Sequence, residues 1–281
     1  MPETNPVAPV EPAFAPPAVE LRNVVASSGG YEILSAASVA FPAGLFSVVM
    51  GVAGSGKSTL LKVAAGLVVA DSGATFYHGR DMAQFSRKEE LAFRAASGFV
   101  FQDAALWANT SILENVAMPL RLHKAWMSES DIAEAVRLML KRLGYDEGMG
   151  MRPAELSAGE QKLVSIARAV IHEPAVAFMD DPTSNLDEDA AEKVFELLAE
   201  LRSRRCTVIV VANNSELAYR YADRLGVIKA GKMAAFGPYD ETVGSAEAAL
   251  MTSLARLRAR GSRKKTSQDD QGSEMSQRGD V

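Results

Sequence analysis

The stretch from Leu45 to Leu67 constrains the fold of this chain more than any other. LFSVVM (45–50) is a run of strand length, apolar except for Ser47. It passes directly into Gly51-Val52-Ala53-Gly54-Ser55-Gly56-Lys57-Ser58, and KSTLLKVAAGL (57–67) then reads as a helix. Strand, glycine-rich loop and helix in that order make a phosphate cradle. Glycines let the backbone curl so that its N–H groups face one anion, and the helix N-terminus adds a favourable dipole. Gly51, Gly54, Ser55 and Gly56 shape the loop. Lys57 can reach the β- and γ-phosphates of a nucleotide, the Ser58 hydroxyl can ligate magnesium, and Thr59 continues the phosphate-binding run. A loop of this kind serves kinases, GTPases and many ATPases alike.

The rest of the chain extends the same α/β pattern. VELRNVV (19–25) and SVAFPAG (38–44) read as strands of an early antiparallel layer. GFVFQ (98–102), VAFMD (176–180), TVIVVA (207–212) and LGVIK (225–229) are short apolar strands of a mostly parallel core sheet. Residues 103 to about 158 differ: they hold helical runs such as DIAEAVRLMLKRLG (131–144) and read as an inserted helical subdomain. GEQKLVSIARAVIHE (159–173) then returns to the core, with Leu163, Ile166, Ala167 and Val170 on one face. Prolines at 2, 6, 9, 12, 16 and 17 mark residues 1–18 as an extended or disordered tail. The folded domain is expected over 19–245, a terminal helix over 246–260, and a polar disordered tail over 261–281.

Composition excludes several classes. A formal charge of −5 gives no reason to expect a nucleic-acid partner. The single cysteine, Cys206, rules out an internal disulfide or a thiolate metal cluster, and its place before an apolar strand suits a small core residue. Ile33 to Gly56 carries no charge, but Pro42 and its glycines break it into two strands and a loop rather than a membrane span. The N-terminus lacks the pattern of a secretory signal, and a cytoplasmic location fits.

Asp180 ends the strand VAFM, which puts a carboxylate at the sheet edge beside the phosphate loop, where it can hold magnesium. Leu156-Ser157-Ala158-Gly159-Glu160-Gln161 precedes it, and Pro182-Thr183-Ser184-Asn185-Leu186-Asp187 follows. Together these resemble the signature, Walker B and D-loop order of the ATP-binding cassette (ABC) family, over roughly residues 19 to 240. The resemblance implies a P-loop NTPase fold with a small antiparallel β layer and an inserted α-helical subdomain. It implies ATP and Mg2+ as ligands, and ATPase activity coupled to a separate integral membrane permease. It further implies that Gln102 senses the γ-phosphate, contacting magnesium or the attacking water. Ser157, Gly159 and Glu160 would act on the ATP of a second cassette, in a homo- or heterodimer.

Three positions depart from that family. After the Walker B aspartate the family usually has a glutamate that positions the attacking water; here Asp181 is one methylene shorter. A displacement of about 1.5 Å can cost about 10²-fold in rate, though the change can also be conservative. Asn213 stands where the family has its switch histidine, and an amide cannot be charged or shuttle a proton. The adenine-stacking aromatic is missing near Ser27 and Ser28. Tyr31 either replaces it or only covers the sheet. The chain is thus expected to bind ATP, to hydrolyse its own ATP weakly, and to lend an intact signature to a partner.

FQDAALWANTSILENVAMPLRLH (101–123) resembles the corresponding segment of ATPases from MCE-type lipid transport systems, with FtsE-like and lipoprotein-releasing cassettes next. The implied role is to energise movement of lipid or another hydrophobic cargo across or between envelope membranes, the chain sitting peripherally on the inner face of the cell membrane, with an MCE-type lipid-binding protein as a possible partner. A nucleotide-dependent regulatory module on a membrane partner, as in FtsE-like proteins, is the alternative. Leu113, Val116, Met118 and Leu120 either form the permease-docking surface or fill the subdomain. The basic run from Arg256 to Lys265 either touches anionic headgroups or is a solvated tail.

Overall fold

A computed structural model of the chain describes residues 17–145, 148–213 and 215–245. The Pro-rich segment before Pro17 and everything after Ser245, including the expected terminal helix and the basic run, lie outside the described residues.

Two long strands open the fold. β1 (Pro17–Ser28) and β2 (Tyr31–Pro42) pair antiparallel, and β4 (Ser72–Tyr77) and β5 (Arg80–Asp81) extend them into a four-stranded sheet of order β2-β1-β4-β5. The second sheet contains β3 (Phe46–Met50), β6 (Ser97–Val100), β7 (Val176–Asp180), β8 (Thr207–Val211), β9 (Arg224–Lys229) and β10 (Lys232–Pro238), in the order β10-β9-β3-β8-β7-β6. All its neighbours run parallel except the β9–β10 edge pair. Every residue of β3, β7 and β8 is buried, as expected for strands covered on both faces.

Helices α1 (Lys57–Ala64), α2 (Arg87–Ala95), α3 (Ile112–His123), α4 (Glu129–Arg142), α5 (Ala158–Val170), α6 (Glu188–Ser203), α7 (Ser215–Tyr221) and α8 (Tyr239–Gly244) complete it. One apolar core lies under α3, α4, α5 and α6; a second joins α1 and the antiparallel sheet to the other side of the core strands. The α/β class with a mostly parallel sheet and an antiparallel layer is as expected from sequence.

Boundaries differ where local chemistry decides them. The second strand starts at Tyr31 rather than Ser38, because the Gly29-Gly30 turn, with φ of 59° and 83°, reverses the chain at once. It stops at Pro42, which cannot donate to a ladder. Of the four apolar residues considered for docking, Val116 and Leu120 are fully buried and fill the subdomain. They are therefore removed from any docking surface. Trp107, Leu122, Trp126 and Leu138 are the large apolar side chains exposed in that region among the described residues.

Candidate functional site

The shape of the phosphate loop is set by its own backbone. Gly54 and Gly56 have φ of 73° and 98°, a region side chains disfavour. Gly51 lies so close to Ile228 that an added Cβ would sit 2.5 Å from its carbonyl oxygen. Ser55 N–H donates to the Val52 carbonyl at 3.2 Å, while the Ser55 hydroxyl is buried without a hydrogen-bond partner. Helix α1 starts at Gly56 with no side chain capping it, whereas Ser86, Ser111, Ser128, Ser157 and Asp187 cap α2 to α6. Its first N–H groups are thus left facing the loop's concavity, which suits an anion.

Around this loop lies a cleft of about 290 Å³. Its lining includes Gly54 to Thr59, Gln102, Asp180, Asp181 and Asn213, with Ile33 from β2. Five separate stretches of sequence therefore meet at one concavity. Lys57 donates to the Gly51 and Val52 carbonyls at 2.7 and 2.9 Å. Burial pushes its ammonium below the ordinary value, opposed by the charges of Asp181 and Asp180. Ser58 Oγ donates to Asp180 Oδ1 at 3.1 Å. Burial pushes the Asp180 carboxyl above its usual range, against that hydrogen bond. A buried carboxylate beside a hydroxyl and a side-chain amide is an all-oxygen donor set of the kind hard divalent cations take, so the residues fit magnesium.

Asp181 has a left-handed φ of 47°, a conformation in which Asp is several-fold more common than larger residues. Its Oδ2 accepts from Asn213 Nδ2 at 3.2 Å, and its carbonyl accepts from the Ser184 hydroxyl at 2.8 Å. Two of the three departures from the family pattern are thus bonded to each other. Their side chains form a fixed pair over the phosphate loop.

Other expected site residues lie apart. Tyr31 is 77% exposed at the start of β2 and does not line the cleft. Ser157, Gly159 and Glu160 sit at the start of α5, in a second depression shared with Asn185, Leu186 and Asp187. Ser157 and Glu160 form a capping box. The Ser157 N–H and hydroxyl donate to Glu160 Oε2 at 2.7 and 2.6 Å, and the Glu160 N–H donates back to Ser157 Oγ at 3.3 Å. A Cβ on Gly159 would lie 2.9 Å from the Asn185 carbonyl oxygen, so this glycine allows a close backbone approach.

Three residues near the cleft escaped the sequence reading. Lys162 is buried at 1% exposure and donates to the Phe101 and Gln102 carbonyls at 2.9 and 2.7 Å. Arg168 donates to the Ala105 and Ala104 carbonyls, each at 2.9 Å. Asn115, fully buried, accepts from the Trp107 N–H at 2.8 Å and donates to Thr110 Oγ1 at 2.8 Å. A signal existed for Lys162: it lies four residues before Ile166, on the apolar face of its helix.

Comparison with known proteins places this geometry. The family profile described as ABC transporter matches residues 34–184. The lipoprotein-releasing system ATP-binding protein LolD of Idiomarina loihiensis is 36% identical over 200 residues, 71% of this chain and 87% of that protein. The methionine import ATP-binding protein MetN of Caulobacter vibrioides is 32% identical over 216 residues, 76% of this chain and 64% of its own. Among solved structures, the dimeric post-hydrolysis state of the ATP-binding cassette MJ0796 bound to ADP and Pi superposes with a TM-score of 0.72 at 29% identity, covering 79% of this chain and 98% of that one. Such cassettes are ATPases that pair with membrane permease subunits. By profile, relatives and architecture together, this chain belongs to the ABC transporter family as one of its ATP-binding cassettes.

Proposed function

We propose that the cleft around Lys57 holds ATP with magnesium, and that this cassette turns over its own nucleotide slowly while offering an intact signature to a second cassette. The observation that carries the reading is the meeting of Gly54–Thr59, Gln102, Asp180, Asp181 and Asn213 on one concavity. Ser58, Asp180 and Gln102 are the residues that would hold magnesium, whose charge would offset that of the phosphates when bound. Lys57 would exchange its two carbonyl partners for phosphate oxygens. Asp181 would orient the attacking water, from a backbone position where a longer side chain is normal in this family. Asn213 fixes that carboxylate but can supply neither a charge nor a proton. Ser157, Gly159 and Glu160, lying outside the cleft, would meet the nucleotide of the partner cassette.

The cassette would act at the inner face of the cell membrane, docked on a permease. Among the described residues no helix is long and apolar enough to cross a membrane. A lipid or other hydrophobic cargo is supported by the similarity to LolD, a protein named for lipoprotein release, and by the residue 101–123 segment. An MCE-type lipid-binding protein is the further partner this reading names.

The test is turnover. Purified chain should hydrolyse ATP measurably, and Lys57→Ala should abolish nucleotide binding. Asp181→Glu should raise kcat by roughly tenfold or more, since restoring about 1.5 Å of reach corrects a misplacement of the kind that costs about 10². Parent turnover of several per second with no gain from Asp181→Glu would sink the impaired-site reading. Lipid found in the purified membrane complex by mass spectrometry would test the cargo.

A further inference from the structure

Helix α5 begins at Ser157, away from the cleft, yet two of its cations grip the loop that forms the cleft's wall. The Lys162 ammonium is bonded to the carbonyls of Phe101 and Gln102. Among the described residues it makes no hydrogen bond to a carboxylate; Asp181, Asp180 and Asp103 act on its charge only at longer range. Six residues on, Arg168 holds the carbonyls of Ala104 and Ala105, and its guanidinium lies 5.6 Å over the Trp107 ring.

That loop needs holding. Ala104 and Ala105 have φ of 63° and 47°, a left-handed conformation that alanine seldom adopts. Burying an ammonium on neutral carbonyls is costly compared with burying a methionine or leucine of similar volume. A helix that only had to pack would be better served by an apolar residue at 162. What the amine adds is direction: two short donors fix where the backbone at 101 and 102 lies, and hence where the Gln102 side chain begins.

We infer that Lys162 is a positioning residue for ATP turnover, holding Gln102 in the cleft and linking its placement to the Ser157 end of α5. This rests on the cleft being the ATP site. Because one rigid helix carries both Ser157 and the two cations, a displacement of its N-terminus by a partner's nucleotide is transmitted to the carbonyls of 101–105. The two ATP sites of a dimer are thereby tied through each chain's own α5.

The experiment uses the full chain in a Trp126→Phe background, so that Trp107 alone reports on the end of the loop. Three quantities are read with Mg-ATP: affinity, steady-state kcat, and the change in Trp107 emission on binding. Lys162→Met should bind ATP within about threefold of the parent, lose at least about tenfold in kcat, and lose the emission change. Lys162→Arg, which can again donate to both carbonyls, should recover most of the turnover. Unchanged kcat and emission response in a folded Lys162→Met chain would overturn the inference. If that variant does not fold, Lys162→Leu, which likewise carries no donor, replaces it: a lost Trp107 response with ATP bound supports the role, and a parental response refutes it. A parent that binds ATP equally well after Lys57→Ala would sink the ATP-site reading and this inference with it. Parental behaviour of the Lys162 variants alone would sink only the second.

Discussion

His172 shows how much one buried side chain can carry outside the cleft. It is 7% exposed; Nε2 lies 3.2 Å from the Ser97 carbonyl, Nδ1 has no partner, and the His123 ring is 5.5 Å away. Burial, with the neighbouring charges of His123 and Lys124, pushes its pKa from 6.5 down to about 4. The sign follows directly. Above pH 6.5 the ring is neutral in both folded and unfolded chains, and below that the unfolded chain takes up a proton the folded one resists. Stability therefore falls between pH 6.5 and 4, by roughly 3 kcal/mol at about 1.4 kcal/mol per pH unit. Denaturant titrations of His172→Gln across that range should show a flatter pH dependence than the parent. An identical slope would mean the imidazole is protonated without penalty. Cys206 makes the complementary case. Its thiol is buried, donates to the Pro174 carbonyl at 3.2 Å and is pushed up to about 11, which suits the inert core role read from sequence.

At the scale of the element, the sequence was most legible where period and punctuation agree. VAFMD was placed at its true ends because a fully buried strand stops at the first carboxylate. The starts of α2, α3 and α5 were equally written, as Ser86-x-x-Glu89, Ser111-x-x-Glu114 and Ser157-x-x-Glu160, each forming a complete capping box. β4 and β10 passed unread because they are partly exposed and lack clear alternation, so tertiary pairing rather than local pattern makes them strands. The loop before α3 depends on a side chain that no periodicity reveals. Asn115 reaches back from α3 to Trp107, Thr110 and Ser111. Losing several such bonds in a buried place should cost about 2–3 kcal/mol, so thermal unfolding of Asn115→Ala should fall by roughly 4–12 °C. A shift under a degree or two would show that the loop is held without it.

For the whole molecule, the two depressions proposed to share the ATP chemistry have no lining residue in common. The Lys57 cleft and the Ser157 depression are separate in one chain, so an assembly of two is required to bring them onto one nucleotide. Asp181→Asn removes the carboxylate charge beside the phosphates and should block turnover. With Mg-ATP that variant should therefore elute as a dimer and revert to monomer when nucleotide is removed, by light scattering coupled to size exclusion. A monomer at every ATP concentration would count against a self-assembling cassette and favour pairing with a different one. Gly54 to Thr59, Gln102, Asp180, Asp181 and Asn213 were readable from sequence because each motif ends a strand or opens a helix, whereas Ile33 lines the cleft in place of the expected Tyr31. The tie from α5 was not, because it runs through backbone carbonyls, which no residue type encodes.

Where the two sheets meet, the phosphate loop is locked from behind. Gly231, in the turn between β9 and β10, donates its N–H to the Ser55 carbonyl at 3.1 Å and accepts from the Ser35 N–H at 3.0 Å. With φ of 74°, and an added Cβ falling 2.4 Å from the Ile33 carbonyl oxygen, it admits no side chain without displacement. On the proposed ATP-site reading, nucleotide affinity would thus depend partly on a residue outside the lining of the cleft. On that reading, a lineage that lost this glycine would keep every recognisable ATP motif and bind nucleotide less well. Its defect would lie in the hinge of the frame, where a scan of motifs would report a sound enzyme.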